Sequence, residues 1–363
     1  MEKALFVIDK EDNFKIQKHK IKRINYKTLY KEDFELSQII NKENTDFLMF
    51  SRNNMVKDRI DFGNFLHKLK IGYSSFSGID DDEWEDQTKQ CLNDFFTENV
   101  KLGIKSSKIK KIEQDSKKTS NLIFDMEQLG GCRYGLPRIL KILDRYNVKA
   151  TFFVTDIVNK TYADVIPTLV KMGHEVGLHG VFHEYLQTMS KDEQTKHILR
   201  LKNRFKYDIK GVNFVSRMNN DCLKSFKKNE IRYFIYPHIN KMKNISIPCR
   251  NLKLKNDNII LIPLCIETYD KTFEQIKNEI IFTESKNKNK SDNITVLMHP
   301  FSDGSKSRIE NTERVIEYIS KDRCSQTISQ TMKKNNFKIV KKFNIDIKNK
   351  YIKTLYDIFK FGF

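Results

Sequence analysis

The chain contains 363 residues, of which 39% are hydrophobic and 11% aromatic, enough to bury a substantial core and to exclude wholesale disorder. Its formal net charge is +19, which favours anionic partners such as an acidic surface or an anionic substrate. Lysines spread along the whole chain carry most of this charge, and no nucleic-acid module or cluster of arginines with aromatics is recognisable. We therefore expect no nucleic-acid partner.

The six cysteines form no C-x-x-C pair and show no spacing typical of a disulfide framework or a zinc knuckle. We interpret them as reduced thiols, which persist in a reducing compartment. The N-terminal apolar run ALFVI is too short for a signal peptide, and no stretch approaches the roughly 20 apolar residues of a membrane-spanning helix. The expected location is the cytoplasm.

The first part of the chain, residues 1–110, is predicted to form a small α/β domain of unknown role. Its strand candidates are ALFVI at 4–8 and DFLMF at 46–50. Residues 111–120 lie in the lysine-rich stretch KLGIKSSKIKKIEQDSKKTS, which contains little that could build a core. This composition indicates a basic linker and a domain boundary.

From residue 121 to about 340, predicted strands and amphipathic helices alternate. Such alternation is typical of a parallel sheet, because each helix returns the chain to the same edge. About seven strand–helix units in this length favour a (β/α) barrel, in which the carboxyl ends of the strands carry the chemistry.

The tail, residues 341–363, is predicted to be an amphipathic helix, with Tyr351, Leu355 and Phe359 on one face and lysines elsewhere. Packing onto the barrel is the favoured interpretation, because helices that cover a core share this pattern. Weak contact with a membrane surface is the alternative.

Ionisable side chains follow four of the predicted strands, where a barrel keeps its site. They are Asp125 and Glu127 after NLIF, His179 and His183 at HEVGLHGVFH, Arg217 after GVNFVS, and His299 after ITVLM. Two histidines with a carboxylate suit a catalytic zinc-type site that activates water, although other divalent ions accept the same ligands. Each motif alone is weak, and the joint pattern predicts a metal-dependent hydrolase.

The same motifs, taken in order, resemble a known family. IFDMEQ, ATFFV, GHEVGLHGVFH, FVSRMNN and VLMHP match those of the polysaccharide deacetylase family, the NodB-homology domain of carbohydrate esterase family 4, over residues 121 to about 335. The stretch from ATFFV to GHEVGLHG is the most specific. The resemblance implies a deformed (β/α) barrel of NodB type and removal of an acyl group, with acetyl expected, from an N-acylated amino sugar or glycan intermediate.

The resemblance also implies ligands for a divalent metal ion, with zinc expected. His179 and His183 would bind the ion. The common form of the first motif has two adjacent aspartates, but Met126 stands in the second place here. A D-x-E variant occurs in a branch of the family, so Glu127 is the expected third ligand. Strand geometry supports this choice, because side chains two apart share a face and Met126 would point away.

Three further roles are implied: Asp125 as general base, His299 as general acid that protonates the leaving amine, and Arg217 as the residue that holds and tunes Asp125. The motif that pairs an acid with the final histidine has no convincing match, and Asp270 in IETYD is offered only as a guess. After Arg217 the usual proline and aromatic are replaced by Met218, Asn219 and Asn220, so the substrate is expected to differ from bulk polysaccharide.

Two other interpretations remain open. The imidase or allantoinase-like branch shares the fold and the D-x-E form but hydrolyses cyclic amides. A non-catalytic module that binds glycan is the other, with the altered arginine loop as a sign of lost chemistry.

Overall fold

The structure is a computed structural model of the chain. The residues that it describes are 2–8, 24–30, 47–50, 72–75, 84–105, 118–181, 184, 186, 189–214, 219–237, 252–254, 259–286, 293–333 and 338–340. The predicted tail at 341–363 and the predicted linker up to residue 117 lie outside these ranges.

A small parallel sheet contains the four described strands of the N-terminal part. Its strands are β1 (Glu2–Ile8), β2 (Ile24–Tyr30), β3 (Phe47–Phe50) and β4 (Gly72–Ser75). Their order is β2-β1-β3-β4, and every neighbouring pair runs parallel. Parallel neighbours need crossover connections rather than tight hairpins. Strands β1 and β3 confirm the two strands predicted from the sequence.

The helix α1 (Trp84–Thr97) packs onto the second, larger part of the chain. Its Cys91 and Phe95 are buried in the same core cluster as the barrel side chains. The backbone that follows continues this contact, since the amide of Val100 donates to the carbonyl of Thr161 at 2.8 Å. Residues 84–100 therefore cover part of the barrel.

The larger part is an eleven-stranded sheet that curls into a barrel. Its strands are β5 (Thr119–Met126), β6 (Ala150–Val154), β7 (Glu175–Leu178), β8 (Gly211–Val212), β9 (Tyr233–Pro237), β10 (Leu252–Leu254), β11 (Ile259–Leu264), β12 (Ile266–Glu267), β13 (Asn293–Met298), β14 (Cys324–Ser325) and β15 (Lys338–Val340). The order β12-β13-β5-β6-β7-β8-β9-β11 is parallel throughout. Strand β10 pairs antiparallel with β11, and β15 pairs parallel with β10.

One continuous segment nearly closes the barrel. Strands β11 and β12 are separated by the single residue Cys265. Strand β11 pairs with β9 on one side, whereas β12 pairs with β13 on the other. The amide of Cys265 donates to the carbonyl of Thr295 at 3.0 Å, which ties the junction to β13. The two ends of the strand order thus meet, and the predicted (β/α) barrel is confirmed.

Helices follow most of the barrel strands. They are a π-helical turn (Gly131–Gly135) that leads into α2 (Leu136–Arg145), then α3 (Asp156–Thr161), α4 (Val165–Lys171), α5 (Lys191–Phe205), α6 (Asn220–Lys228), α7 (Phe273–Lys286), α8 (Pro300–Asp303), α9 (Ile309–Asp322) and α10 (Ile328–Lys333). Helix α5 begins with a capping box, in which Ser190 and Glu193 satisfy each other's backbone amides. No helix of the described residues is long and apolar enough to cross a membrane.

The barrel strands divide their side chains between two apolar clusters. On β5, Leu122, Phe124 and Met126 join the cluster that packs against the helices. Ile123 joins a second cluster with side chains from non-adjacent barrel strands, so this cluster is the barrel interior. It contains Ile123, Phe153, Tyr233, Ile235, Ile260, Ile262, Leu297 and Ile328. The alternation follows from the two-residue period of a strand.

Two glycines make room for aromatic rings in this interior. A Cβ atom on Gly177 would lie 2.5 Å from the ring of Phe153, and one on Gly211 would lie 1.9 Å from the ring of Tyr233. Any larger residue would clash with these rings. The absence of a side chain at Gly177 on β7 and at Gly211 on β8 therefore lets two large rings fill the interior beneath the strand ends.

Candidate active site

Polar side chains continue the interior rows at the carboxyl ends of the barrel strands. Asp125 and Glu127 follow the interior residue Ile123 at two-residue steps, while Met126 between them is fully buried on the helix side. The same two-residue step separates three further polar residues from interior positions. These pairs are Gly177 with His179, Gly211 with Asn213, and Leu297 with His299. The two-residue alternation of side chains therefore places polar groups from four strands at the same end of the barrel, its mouth.

His179 is oriented by a backbone carbonyl of the residue that follows β8. Its Nδ1 forms a hydrogen bond with the backbone carbonyl of Asn213. In the neutral ring this bond places the proton on Nδ1 and leaves the lone pair on Nε2. Nε2 faces two carboxylates, at 3.4 Å from Oε2 of Glu127 and 3.8 Å from Oδ2 of Asp125. The side chain is only 2% exposed.

The spacing between His179 and Glu127 fits two ligands of one small cation. For a tetrahedral ion bound at about 2.1 Å, neighbouring ligand atoms lie about 3.4 Å apart. Nε2 of His179 and Oε2 of Glu127 are 3.4 Å apart. The described residues contain no complete group of three such side chains, and the third predicted ligand, His183, lies outside them. The two that are described therefore fit part of a metal site.

The electrostatics of this mouth favour positive charge. Burial lowers the pKa of His179, but Asp125, Glu127 and the Asn213 carbonyl outweigh this effect and raise the pKa to about 9. The two carboxylates therefore stabilise a cation at the position that Nε2 faces, whether a proton or a metal ion.

The Asp125 carboxylate lies between two histidines. Its Oδ2 is 3.8 Å from Nε2 of His179 and 4.0 Å from Nε2 of His299. The side-chain amide of Asn213 donates to this carboxylate, with Nδ2 at 2.7 Å from Oδ1 and 2.9 Å from Oδ2. A buried carboxylate held in this way can accept a proton from a nearby water.

The backbone that carries His299 is held by a buried aspartate. Asp303 accepts a hydrogen bond from the amide of His299 at 2.7 Å and another from the hydroxyl of Thr268 at 2.9 Å. Burial raises the pKa of Asp303, although both donors oppose this effect. The His299 ring contacts the rings of Tyr269 and Phe301 edge-on. Its Nδ1 is buried and has no hydrogen-bond partner among the described residues.

The turn after His179 is fixed by a buried glutamate. Gly180 has φ of +91°, a conformation that favours glycine. Both carboxylate oxygens of Glu184 accept from the amide of Val181, at 3.0 and 2.8 Å, and His197 on α5 pairs with the same carboxylate. The turn is thereby anchored to a helix of the barrel wall.

The structure brings together four of the six predicted site residues: Asp125, Glu127, His179 and His299. The other two, His183 and Arg217, lie outside the described residues. The predicted roles of all six stay predictions, whereas the convergence of four side chains from distant parts of the chain is an observed property of the fold.

Sequence reasoning missed Asn213, Asp303 and Glu267. Asn213 is uncharged, and only its position two residues after Gly211 could have indicated it. Glu267 ends β12. Burial is the largest influence on its pKa and raises it. The nearby His299 lowers the pKa and the nearby Asp125 raises it, and the net pKa is raised. This glutamate lies three residues before Asp270, which the sequence suggested as the partner of His299. Asp270 itself is exposed.

Comparison with known proteins supports the resemblance. Residues 112–210 match the family model of polysaccharide deacetylase. This range contains Asp125, Glu127, His179 and His183 and ends before Arg217.

Two curated relatives match shorter stretches. An uncharacterised 30.6 kDa protein of Geobacillus stearothermophilus is 36% identical over 91 residues, or 25% of this chain and 33% of the relative. A peptidoglycan deacetylase of Helicobacter pylori is 33% identical over 66 residues, or 18% of this chain and 22% of the relative. The matched stretches thus span a third or less of these relatives.

Solved structures share the fold over a longer range. A Mycobacterium smegmatis protein assigned to the polysaccharide deacetylases aligns with a TM-score of 0.53 at 16% identity, covering 66% of this chain and 99% of that one. The Puue allantoinase aligns with a TM-score of 0.51 at 15% identity, covering 60% and 90%. At such identities the similarity establishes the fold alone. The segment that carries Asp125, Glu127 and His179 is the part with matching sequence, and it is similar to the polysaccharide deacetylase family.

Proposed function

We propose that this protein is a hydrolase of carbon–nitrogen bonds that removes an N-acyl group, in the first instance N-acetyl, from an amino sugar or glycan intermediate. The observation that carries the proposal is the meeting of Glu127, His179, Asp125 and His299 at one barrel mouth, with separations of 3.4, 3.8 and 4.0 Å between successive groups. The family match over residues 112–210 supports the same chemistry.

A divalent metal ion, with zinc expected, would be held by Glu127 and His179 together with His183. When bound, such an ion lowers the pKa of its water and polarises the acyl carbonyl. Burial of Met126 on the helix side supports Glu127, rather than its neighbour, as the carboxylate ligand. The D-x-E form of the motif would then be the working form in this chain.

Asp125 and His299 would manage the protons. Amide hydrolysis adds water oxygen to the acyl carbon and breaks the carbon–nitrogen bond. Asp125 would accept the proton that the attacking water loses, and His299 would donate a proton to the leaving nitrogen. The products are a carboxylate and a free amine. Oδ2 of Asp125 lies 4.0 Å from Nε2 of His299, close enough for both groups to serve one reacting centre. Arg217 would be a further partner of Asp125.

We place the substrate inside the cell. No disulfide bond joins any two of the five cysteines of the described residues, which suits a reducing compartment (Cys91, Cys132, Cys222, Cys265 and Cys324). A nucleotide sugar, a lipid-linked sugar or another glycan intermediate fits a cytoplasmic enzyme better than a mature cell-wall polymer does.

The test combines metal analysis with acetate release. Purified protein is expected to contain a stoichiometric divalent ion and to release acetate from at least one member of a panel of N-acetylated sugars. Chelation should abolish this release, and zinc should restore it. Glu127→Gln should weaken metal retention and activity together. Metal-free protein with full activity, or no acetate from any panel member, would contradict the proposal.

A second candidate is hydrolysis of a cyclic amide. Its support is the fold similarity to the Puue allantoinase, which is nearly as close as that to the Mycobacterium smegmatis protein. Ring opening retains both fragments in one product and releases no acetate. Turnover of a cyclic amide that survives full metal depletion would favour this candidate.

A further inference from the structure

The residue that follows β8, Asn213, contacts both halves of the site in two chemically different ways. Its side-chain Nδ2 lies 2.7 Å from Oδ1 and 2.9 Å from Oδ2 of Asp125 and donates to that carboxylate. Its backbone carbonyl accepts from Nδ1 of His179. No motif or family match covers Asn213, since the matched range ends at residue 210.

The backbone half of this arrangement is fixed by the sheet. The amide of Asn213 donates to the carbonyl of Leu178 at 2.9 Å, which continues the parallel pairing of β7 with β8. Any residue other than proline at position 213 would therefore offer its carbonyl to His179. A side-chain substitution separates the two contacts, because it removes the donor to Asp125 and leaves the carbonyl in place.

The side-chain half restricts the Asp125 carboxylate. Rotation of a carboxylate about its terminal torsion has a broad energy profile, so a neighbour must fix its plane. With the amide nitrogen against both oxygens, Oδ2 faces Nε2 of His179 and Nε2 of His299, at 3.8 and 4.0 Å. Loss of the amide would leave the carboxylate near the site but without a fixed direction, and catalysis is sensitive to such misplacement.

We propose that Asn213 is a positioning residue that aims the Asp125 carboxylate between the two histidines. The inference rests on the proposed function, because Asp125 must act as the base for its direction to matter.

The first test is a set of side-chain variants of the full chain. Asn213→Ala is expected to lower kcat by about 10- to 100-fold, the usual effect of removing a hydrogen-bond partner behind a catalytic group. KM and zinc affinity, measured by calorimetric titration of the metal-free protein, should stay unchanged because the carbonyl still orients His179. Asn213→Asp keeps the shape but places an acceptor against the carboxylate, so its kcat should be lower still.

The decisive test asks whether Asn213 acts through Asp125. In an Asp125→Asn background, Asn213→Ala should cause no further loss of kcat, since the group that it positions is already gone. Asn229→Ala is the matched control. Asn229 is also buried and donates two hydrogen bonds, at 3.0 and 2.9 Å, to the carbonyls of Thr195 and Ser225, but it lies outside the site. Its variant should lower stability and leave kcat unchanged.

The outcomes are separable. An active wild type whose Asn213→Ala and Asn213→Asp variants keep full kcat overturns the positioning role alone. Equal loss of zinc affinity and kcat, or additive losses in the double variant, also overturns it. A wild type that releases no acetate, with or without zinc, overturns the proposed function itself.

Discussion

His174 precedes strand β7 at the amino end of the barrel, and His179 follows the same strand at the carboxyl end. Both are buried, with 6% and 2% of their surface exposed. Burial and the nearby Lys149 lower the pKa of His174 to about 3, whereas Asp125 and Glu127 overcome burial and raise the pKa of His179 to about 9. The same residue type therefore has its pKa lowered at one end of the strand and raised at the other.

The difference lies in the neighbours that each end supplies. At the amino end, Nδ1 of His174 accepts from the amide of Ala150, and its ring packs edge-on against Phe152. The adjacent Glu175 is surrounded by hydrogen-bond donors from Thr151, Tyr233 and Ser329. At the carboxyl end, the carboxylates of Glu127 and Asp125 lie 3.4 and 3.8 Å from Nε2 of His179. The comparison indicates that the amino end supports stability and the carboxyl end supports chemistry.

The largest expected difference is between His179→Gln and His174→Gln. His179→Gln should lose bound metal and lower kcat/KM by about three orders of magnitude or more, because a metal ion contributes several kcal/mol to the transition state. His174→Gln should keep both metal and activity. Metal analysis and acetate release measure the contrast. Equal losses in the two variants would erase the functional distinction between the barrel ends.

The next effect separates metal binding from proton transfer within the carboxyl end. His299→Gln should lower kcat by about 10²- to 10³-fold, the usual contribution of a general acid. Metal content should stay at the wild-type level, because His299 is not a proposed ligand. Loss of the metal along with activity would instead make His299 a ligand, and the division of labour at this end would be wrong.

At the amino end, His174 should make stability depend on pH. Its folded pKa is depressed to about 3, so between pH 6.5 and 3 the unfolded chain binds a proton that the folded chain does not. Its contribution is complete above pH 6.5 and is lost as the pH falls. At pH 5 the loss is about 2 kcal/mol. Urea unfolding should show that His174→Gln weakens the pH dependence between pH 7.5 and 5 by this amount, and an unchanged slope would contradict it.

The smallest effect concerns the hydrogen bonds around Glu175. Ser329→Ala removes a hydroxyl donor to that carboxylate and should lower the free energy of unfolding by about 1 kcal/mol, with kcat unchanged. Ser285→Ala, at an exposed serine of α7, is the control and should have little effect. Chemical denaturation compares the two. A fall in kcat for Ser329→Ala would connect the amino end to the chemistry.

Much of the fold could be predicted because the barrel strands are short apolar runs separated by amphipathic helices. ATFFV at 150–154 forms β6 as predicted, and IILIPL at 259–264 forms β11. Elements with weak local signals were missed. Strand β12 has only two residues, Ile266 and Glu267, and it exists because β13 lies beside it. Predicted strand GVNFVSR shortens to Gly211–Val212 among the described residues.

The candidate site divides in the same way. Asp125, Glu127, His179 and His299 are ionisable residues at strand ends, so the sequence alone indicated them. Asn213 carries no charge and belongs to no motif, and Glu267 was passed over for Asp270. Asn213 matters because it contacts Asp125, which lies 88 positions away in the chain. Glu267 matters because it lies near His299, which is 32 positions away. Such distances are properties of the assembled barrel.

By itself, the sequence determined which side of each strand is apolar and which residue types stand at the strand ends, because a strand alternates with a period of two. The tertiary structure decided which of these ends meet. Closure of the sheet through Cys265 places β12 beside β13, which pairs with β5, and the two glycines on β7 and β8 let aromatic rings fill the interior. The opposite pKa shifts of His174 and His179 were likewise decided by packing, since a pKa depends on neighbours that only folding supplies.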